Sequence, residues 1–236
     1  MDPATFYKQL WSVKNQAEPA PVARRDVLHR WLLDPIFDPA ANGRHQVAIE
    51  MLGRGERFLD IGCWDGAFLE SVRGRTLFEE LHGIDIGAEM IESVRRKGFV
   101  GQVVDMNRDL LPFPSAHFDA ITMLAVLEHV FDPVAAIREV HRVLRPGGTL
   151  IIDVPNVGSF SNRLRILAGR IPVTSLDPGW DGGHLHYFTK RDFDRFLRRY
   201  GFEILRRKTS GGHPALRERW ISLLAGELIY QCRRAS

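Results

Sequence analysis

Phe58-Leu59-Asp60-Ile61-Gly62-Cys63-Trp64-Asp65-Gly66-Ala67-Phe68-Leu69 is the stretch on which the fold reading turns. A short apolar run ends in a carboxylate, a glycine-bearing loop follows, and an amphipathic segment begins at Ala67. Strand, acidic turn, glycine loop and helix, in that order, build a ligand pocket at the carboxyl end of a first parallel strand. Working outward, the same rhythm repeats. Arg57–Ile61 reads as a strand and Ala67–Arg73 as a helix. Leu81–Asp85 reads as a strand, then Ala88–Lys97 as a helix stopped by Gly98. Val100–Val104 and Phe118–Leu124 read as two further strands. Pro133 opens a helix to Leu144, which Pro146-Gly147-Gly148 closes, and Thr149–Val154 is a fifth strand. Repeated βα units predict a parallel sheet covered by helices on both faces.

The flanks differ. Residues 1–20 are polar with scattered prolines, and Val22–Leu33 and Arg44–Leu52 read as short helices separated by Asp34-Pro35 and Asp38-Pro39. Asn156–His186 breaks the alternation and reads as an insertion. Lys190–Tyr200 returns to helix, Phe202–Lys208 to strand, Leu216–Leu224 to a short helix and Glu227–Cys232 to a last strand. The short connection between the two late strands predicts an antiparallel pair. The expected division is an N-terminal helical lid over 1–54, and a main domain over 55–236 with a cap insertion at about 156–188.

Composition excludes several classes. No apolar run approaches the roughly 20 residues that span a bilayer. Met1–Gln16 lacks the basic-then-apolar order of a signal peptide, so a cytoplasmic protein is expected. Two cysteines, Cys63 and Cys232, agree with a reducing compartment and are too few for a cysteine zinc site. The net charge of +3 is uneven: 12 Lys/Arg against 5 Asp/Glu from Lys190 onward give +7, leaving −4 for the rest. A basic tail suits nucleic acid, an anionic substrate or an acidic partner. However, Arg195, Arg198 and Arg199 stand opposite Phe193, Phe196 and Leu197 at helical spacing, as a solvated face would.

Each strand end carries an acid: Asp60 on the first, Asp85 on the second, Asp105 after the third. Asp85 lies about where a carboxylate accepts hydrogen bonds from a ribose diol. A pyrophosphate needs glycine where Trp64 stands, and Asp60 would repel it. A carboxylate at that mouth suits a cofactor with a positive group, such as the amino group of a methionine moiety, which points to S-adenosylmethionine.

At this point the chain resembles a family. Phe58–Gly66, Gly83-Ile84-Asp85-Ile86, Asp105 with Leu111-Pro112-Phe113, Phe118-Asp119-Ala120-Ile121, Val126-Leu127-Glu128-His129-Val130 and Leu144-Arg145-Pro146-Gly147-Gly148-Thr149-Leu150 resemble, in order and spacing, the motifs of class I S-adenosylmethionine-dependent methyltransferases over about residues 55–155. The resemblance implies an α/β, Rossmann-like seven-stranded sheet, mostly parallel with an antiparallel last strand. It implies S-adenosyl-L-methionine as cofactor and S-adenosyl-L-homocysteine as product. Asp60, Gly62 and Gly66 match the loop around the methionine moiety, with Cys63 as a small packing residue. Asp85 matches the ribose-binding acid and Ile86 the residue packing on adenine. Asp105 matches the acid at the adenine amino group, with Met106 beside the ring, and Leu124 opens the fourth strand onto the cofactor. Trp64 departs from the family's usual glycine and is strained there if the position needs positive φ.

A looser resemblance, carried by Asn162–Thr174, His184-Leu185-His186 and Thr189–Phe193, is to the methionine-biosynthesis MetW group. Leu127-Glu128-His129 instead looks like small-molecule methyltransferases, including quinone O-methyltransferases. A hydroxyl acceptor must lose a proton, and imidazole is the usual base near neutral pH. The candidates are His129, His184 and His186, with Tyr187 as a positioning group. His184-x-His186 has a ligand-like spacing, but the sequence places no third ligand, so no metal is expected. Trp11, Trp31, Phe37, Phe160 and Trp180 are candidates to line an apolar acceptor site or to pack the cap. Arg163, Arg165 and Arg170 suit an anionic acceptor or a solvated helix face. Three readings stand. The first is a methyltransferase acting on a small-molecule hydroxyl, amine or carboxyl. The second is a non-catalytic, MetW-like partner of a homoserine acyltransferase. The third, disfavoured because no RNA-binding module is recognisable, is an RNA methyltransferase. A homodimer is compatible with any of them.

Overall fold

The computed structural model describes residues 43–75, 77–172, 174, 184–210 and 214–235. The expected helix at Val22–Leu33 and the aromatic residues Trp11, Trp31, Phe37 and Trp180 lie outside these. The helix expected at Arg44–Leu52 is α1 (Gly43–Met51), followed by β1 (Gly55–Ile61), α2 (Ala67–Arg73), β2 (Phe78–Asp85), α3 (Ala88–Arg96), β3 (Val100–Val103) and β4 (Phe118–Leu124). A 3₁₀ turn, Leu127–His129, leads to α4 (Pro133–Val143), β5 (Leu144–Pro155) and α5 (Phe160–Leu167). The chain then forms α6 (Lys190–Arg199), β6 (Phe202–Lys208), α7 (Pro214–Arg219), α8 (Ile221–Leu224) and β7 (Glu227–Arg234).

The strands form one seven-stranded sheet in the order β3-β2-β1-β4-β5-β7-β6. β1 to β5 pair in parallel, and β7 runs antiparallel to both β5 and β6, as the short late connection predicts. The order reverses between β1 and β4, and such a switch point opens a crevice at the carboxyl ends of the strands. Apolar residues fill both faces. Leu59, Ile61, Ile121 and Met123 belong to one core cluster, with Ile137 and Val140 of α4. Phe58 and Ala120 belong to the other, with Leu69 and Val72 of α2 and Ile91 of α3. Strands buried on both faces read as continuous apolar runs, which is why this sheet was legible.

Two boundaries depart from expectation. Pro146-Gly147-Gly148 does not close α4. The helix ends at Val143, and Leu144 already pairs with Phe118, before a register shift in the β4–β5 ladder. Gly147, at φ 74°, carries that irregularity, and the Leu144 carbonyl accepts from Arg234 of β7. The late helix Leu216–Leu224 is two short helices broken at Trp220. Residues at the two ends of the segment between β5 and α6 meet: Asn156 bridges Phe188, and the buried Asn156 amide donates to the Ala225 carbonyl at 2.8 Å.

The basic C-terminal region is paired in part within the chain. Asp194 binds Lys190 and Arg207, Glu218 binds Lys208, and Glu203 binds Arg233. Arg195, Arg198 and Arg199 form the exposed face of α6. No helix among the described residues is long and apolar enough to cross a membrane.

The start of α4 is set by Asp132, whose Oδ1 accepts from Val134 N at 2.9 Å and Ala135 N at 3.0 Å, with Pro133 in the first turn. Asp132→Ala should lower stability by about 1 kcal/mol, read as a lower urea midpoint with an unchanged slope, and Asp132→Asn should retain most of it. An unshifted midpoint in the alanine variant would contradict this cap.

Candidate active site

The crevice is walled by three successive strand ends. Asp60 on β1 lies opposite Thr122 on β4, and the Thr122 hydroxyl donates to Asp60 Oδ1 at 2.6 Å. Asp60 is 4 % exposed. Burial pushes its carboxyl up to about 7, Thr122's hydrogen bond works against that rise, and nearby Asp85 adds to it. Asp85 ends β2. Its Oδ1 accepts from Gly87 N at 2.8 Å and its Oδ2 from Trp64 N at 3.1 Å. Burial raises its carboxyl as well, and these backbone donors resist the shift.

The glycine loop is held from below: Gly62 N and Cys63 N both donate to the Ile84 carbonyl, and Gly66 N to the Cys63 carbonyl. Gly62 (φ 74°) and Gly66 (φ 85°) take left-handed backbone. A Cβ at Gly62 would stand 2.3 Å from Val126 Cγ2, so the loop passes against the β4 exit only because that position is bare. Trp64 also has positive φ, 49°. The loop therefore keeps its glycine-type path with a tryptophan in it, at a cost of about 1–2 kcal/mol. The Trp64 side chain is 43 % exposed. Cys63 is buried and its thiol is pushed far above its ordinary value by burial, so it packs rather than reacts. Its Sγ occupies the space that Gly83 leaves beneath it.

Asp105 follows β3. Its Oδ1 accepts from Asn107 N at 3.0 Å. Its Oδ2 is buried without a hydrogen-bond partner, with Arg108 Nε 3.7 Å away. Met106 packs against the core, and Ile86 is half-buried beside Asp85. Leu124 ends β4, half-buried, and the next residue, Ala125, turns the chain with φ 54°. The ten sequence-predicted pocket residues thus lie on the β1, β2, β3 and β4 ends.

The four acceptor-side residues are not one cluster. His129 and His184 meet with ring centroids 4.7 Å apart. His184 Nδ1 lies 3.0 Å from Thr174 Oγ1. His186 turns elsewhere, its Nε2 3.3 Å from the Phe131 carbonyl, and Tyr187 is 55 % exposed. The spacing His184-x-His186 therefore does not make a pair. On the cap, Arg163 Nε donates to the Gly158 carbonyl and Arg165 Nε to the Ile171 carbonyl. Phe160 is 52 % exposed rather than lining a pocket.

Sequence reasoning missed a buried ionic group beside this site. Arg44 of α1 reaches Asp153 Oδ2 at 3.2 Å and Glu227 Oε2 at 2.7 Å. Asp153 Oδ1 also accepts from Ala125 N at 2.6 Å, holding the left-handed turn after β4. Glu128 is 1 % exposed with Oε2 unpartnered. Burial, together with the neighbouring carboxylates, raises both Glu128 and Asp153, while Arg44 lowers them. The visible signals were an acid inside the apolar run Leu150–Val154 and the acid in Leu127-Glu128-His129. Arg44 gave none.

Asp60 yields a test of sign. A carboxyl whose folded value lies above its ordinary 3.8 keeps its proton longer in the folded chain. Its contribution therefore favours the folded state at acid pH and is lost as pH rises from about 4 to about 7. Asn keeps the acceptor for Thr122 without the charge, so Asp60→Asn should gain stability relative to wild type between pH 5 and pH 8 in urea unfolding. A difference that shrinks over that range would contradict a buried, proton-holding Asp60.

The chain matches the family described as "Methyltransferase domain" over residues 36–207, most of its length. It is 36 % identical over 107 residues to a ubiquinone biosynthesis O-methyltransferase of Xanthomonas oryzae pv. oryzae, covering 43 % of this chain and 44 % of that enzyme. This chain thus spans less than half the length of that relative. A ubiquinone biosynthesis O-methyltransferase of Psychrobacter arcticus is 25 % identical over 201 residues, covering 81 % of this chain and 76 % of that one. A solved methyltransferase from Thermotoga maritima, titled a possible histamine N-methyltransferase, superposes with a TM-score of 0.59 at 19 % identity, covering 89 % of this chain and 95 % of that one. Sheet order, strand-end acids, glycine loop and family match agree: the chain belongs to the methyltransferase-domain family, with the class I, S-adenosylmethionine-dependent fold.

Proposed function

We propose that the protein transfers a methyl group from S-adenosylmethionine to a hydroxyl of a small-molecule acceptor. The observation that carries this is the buried, unpartnered Oδ2 of Asp105 standing in line with Asp85 and Asp60 at successive strand ends. That set fits the cofactor. Asp105 offers an acceptor for an exocyclic amine, Asp85 one for a ribose diol, and Asp60 a negative partner for an ammonium group. Gly62 supplies backbone at the point of closest approach.

When bound, the cofactor supplies an electrophilic methyl on a sulfonium centre. The residues of this chain orient it and exclude water. Asp60, buried and raised, takes up the ammonium with release of a proton. His129, just past β4, is the imidazole we assign as base for the acceptor's hydroxyl proton. The named relatives are O-methyltransferases, which supports a hydroxyl over an amine or carboxyl. The two free, buried cysteines suit a cytoplasmic site of action.

The strained Trp64 favours one second reading, in which the loop no longer holds the cofactor and the chain acts as a non-catalytic partner of an acyltransferase. Calorimetric titration with S-adenosylhomocysteine separates the two. Micromolar binding, weakened roughly 10- to 100-fold by Asp85→Ala through lost hydrogen bonds to a charged acceptor, supports methyl transfer. The companion assay is transfer of labelled methyl to a panel of phenols and catechols. No binding by the wild type overturns this reading in favour of the partner protein.

A further inference from the structure

The elements that form the acceptor side bring three donors together from two separate parts of the chain. Glu128 and His129 come from the 3₁₀ turn after β4, and His184 comes from the far end of the cap segment. The backbone fixes the approach: Leu185 N and His186 N both donate to the Glu128 carbonyl, at 2.8 and 3.2 Å. One ligand atom from each of Glu128, His129 and His184 lies within 4.8 Å of the others. We propose that Glu128, His129 and His184 bind a divalent transition-metal ion, of the zinc or cobalt type, with a coordination position left open toward the acceptor.

Three features carry this, the first being the donor set itself. Two imidazoles and one carboxylate are a borderline-soft donor set that suits Zn²⁺ and its first-row neighbours, and three protein ligands leave a fourth position for substrate or water. Bonds of about 2.1 Å to one ion bring such donors to about 3–3.5 Å from each other, a small closing of the spacing seen. Glu128 supplies an orphaned oxygen: it is 1 % exposed, and its Oε2 has no hydrogen-bond partner. A buried polar atom in that state costs stability unless something fills its coordination. Second, the charges acting on Glu128 do not balance. Asp153 and Glu227 stand with it beside Arg44, with Arg217 near Glu227, three carboxyl groups against two guanidiniums, so a divalent cation beside Glu128 offsets the negative surplus. Third, Thr174 holds His184 by Nδ1, which directs Nε2 to the ion; metal-bound imidazoles are usually oriented in this way through their other nitrogen.

What the ion would do rests on the methyl-transfer reading, whereas binding does not. With its lone pair on the ion His129 no longer serves as the base, and an acceptor hydroxyl on the open position instead loses its proton to solvent, as metal-bound water does. The resulting oxygen lone pair forms the new C–O bond while the C–S bond breaks, and that electron pair stays on sulfur. Sulfonium and alkoxide become thioether and methyl ether, so charge and atoms balance.

The test uses the tag-free full chain and Co²⁺ as a visible probe. Titration should give one Co²⁺ per chain, with the absorption bands of a low-symmetry site that Zn²⁺ abolishes by displacement. His184→Ala and Glu128→Gln should each weaken Co²⁺ binding at least about 100-fold, and Thr174→Val about 10-fold, as for an outer-shell partner. Circular dichroism and S-adenosylhomocysteine titration report whether each variant is folded. Should Glu128→Gln not fold, His184→Ala, at a half-buried position, decides alone. Wild-type protein that binds S-adenosylhomocysteine but takes up no Co²⁺ overturns the metal site and leaves the methyltransferase reading standing. Co²⁺ uptake unchanged in folded His184→Ala also overturns it. Site-dependent Co²⁺ uptake without S-adenosylhomocysteine binding confirms the site and overturns the methyl-transfer reading instead.

Discussion

The hydrogen bond from Thr122 to Asp60 joins β1 and β4 where the order of the parallel strands reverses. It sits where a parallel sheet covered on both faces leaves almost no room for water, so a carboxylate there must be held by a protein donor or give up its charge. Asp60 does some of each, which leaves a buried acid at the floor of the crevice. The other strand-end acids take their places from the same in-register pairing. Asp60 and Asp85 stand on adjacent strands because β1 and β2 run parallel with Ile61 opposite Ile84. The loop between them is bound to the Ile84 carbonyl and to Asp85 itself, so pocket wall and pocket floor are one hydrogen-bonded unit.

On the other side of β4 the constraint is charge. Asp153, Glu227 and Glu128 are all nearly inaccessible to water, and Arg44, from outside the alternating βα units, is ion-paired to the first two. Burying a carboxylate without a full partner is costly, and proteins tolerate it mostly where the group has work to do. Here the cluster fixes the Ala125 turn through Asp153 and ties α1 to β7 through Glu227. One side of the crevice is therefore an orderly row of backbone-bonded acids, and the other a crowded ionic group beside two imidazoles.

Much of the first side was legible without coordinates. β4 and β6 fall where alternation of apolar runs placed them, and α2 begins at Ala67 because Gly66 ends the loop. The Trp64 conflict was legible too, since a tryptophan in a glycine loop must either bend the loop or accept positive φ, and it accepts. Misreadings occurred where a local signal met a distant partner. Pro146-Gly147-Gly148 has the composition of a helix stop, yet Leu144 is already strand because Phe118 and Arg234 engage it from far along the chain. His184 and His186 looked like a pair because they are two residues apart. A regular strand would put residues two apart on one side, but residues 184–187 form no regular strand, and only His184 turns toward His129.

The sequence by itself determined the strand–helix rhythm, the antiparallel final strand, and the acids and glycines at the strand ends. These depend on periodicity, turn chemistry and short-range sterics, which act between residues close in the chain. Tertiary structure alone decided that Glu128, His129 and His184 converge, that Arg44 must serve buried carboxylates on two strands, and that Asp105 keeps an unpartnered oxygen. Coordination, electrostatics and burial depend on distance through space, and for these residues it is set by how β4, β5, β7 and the cap pack together.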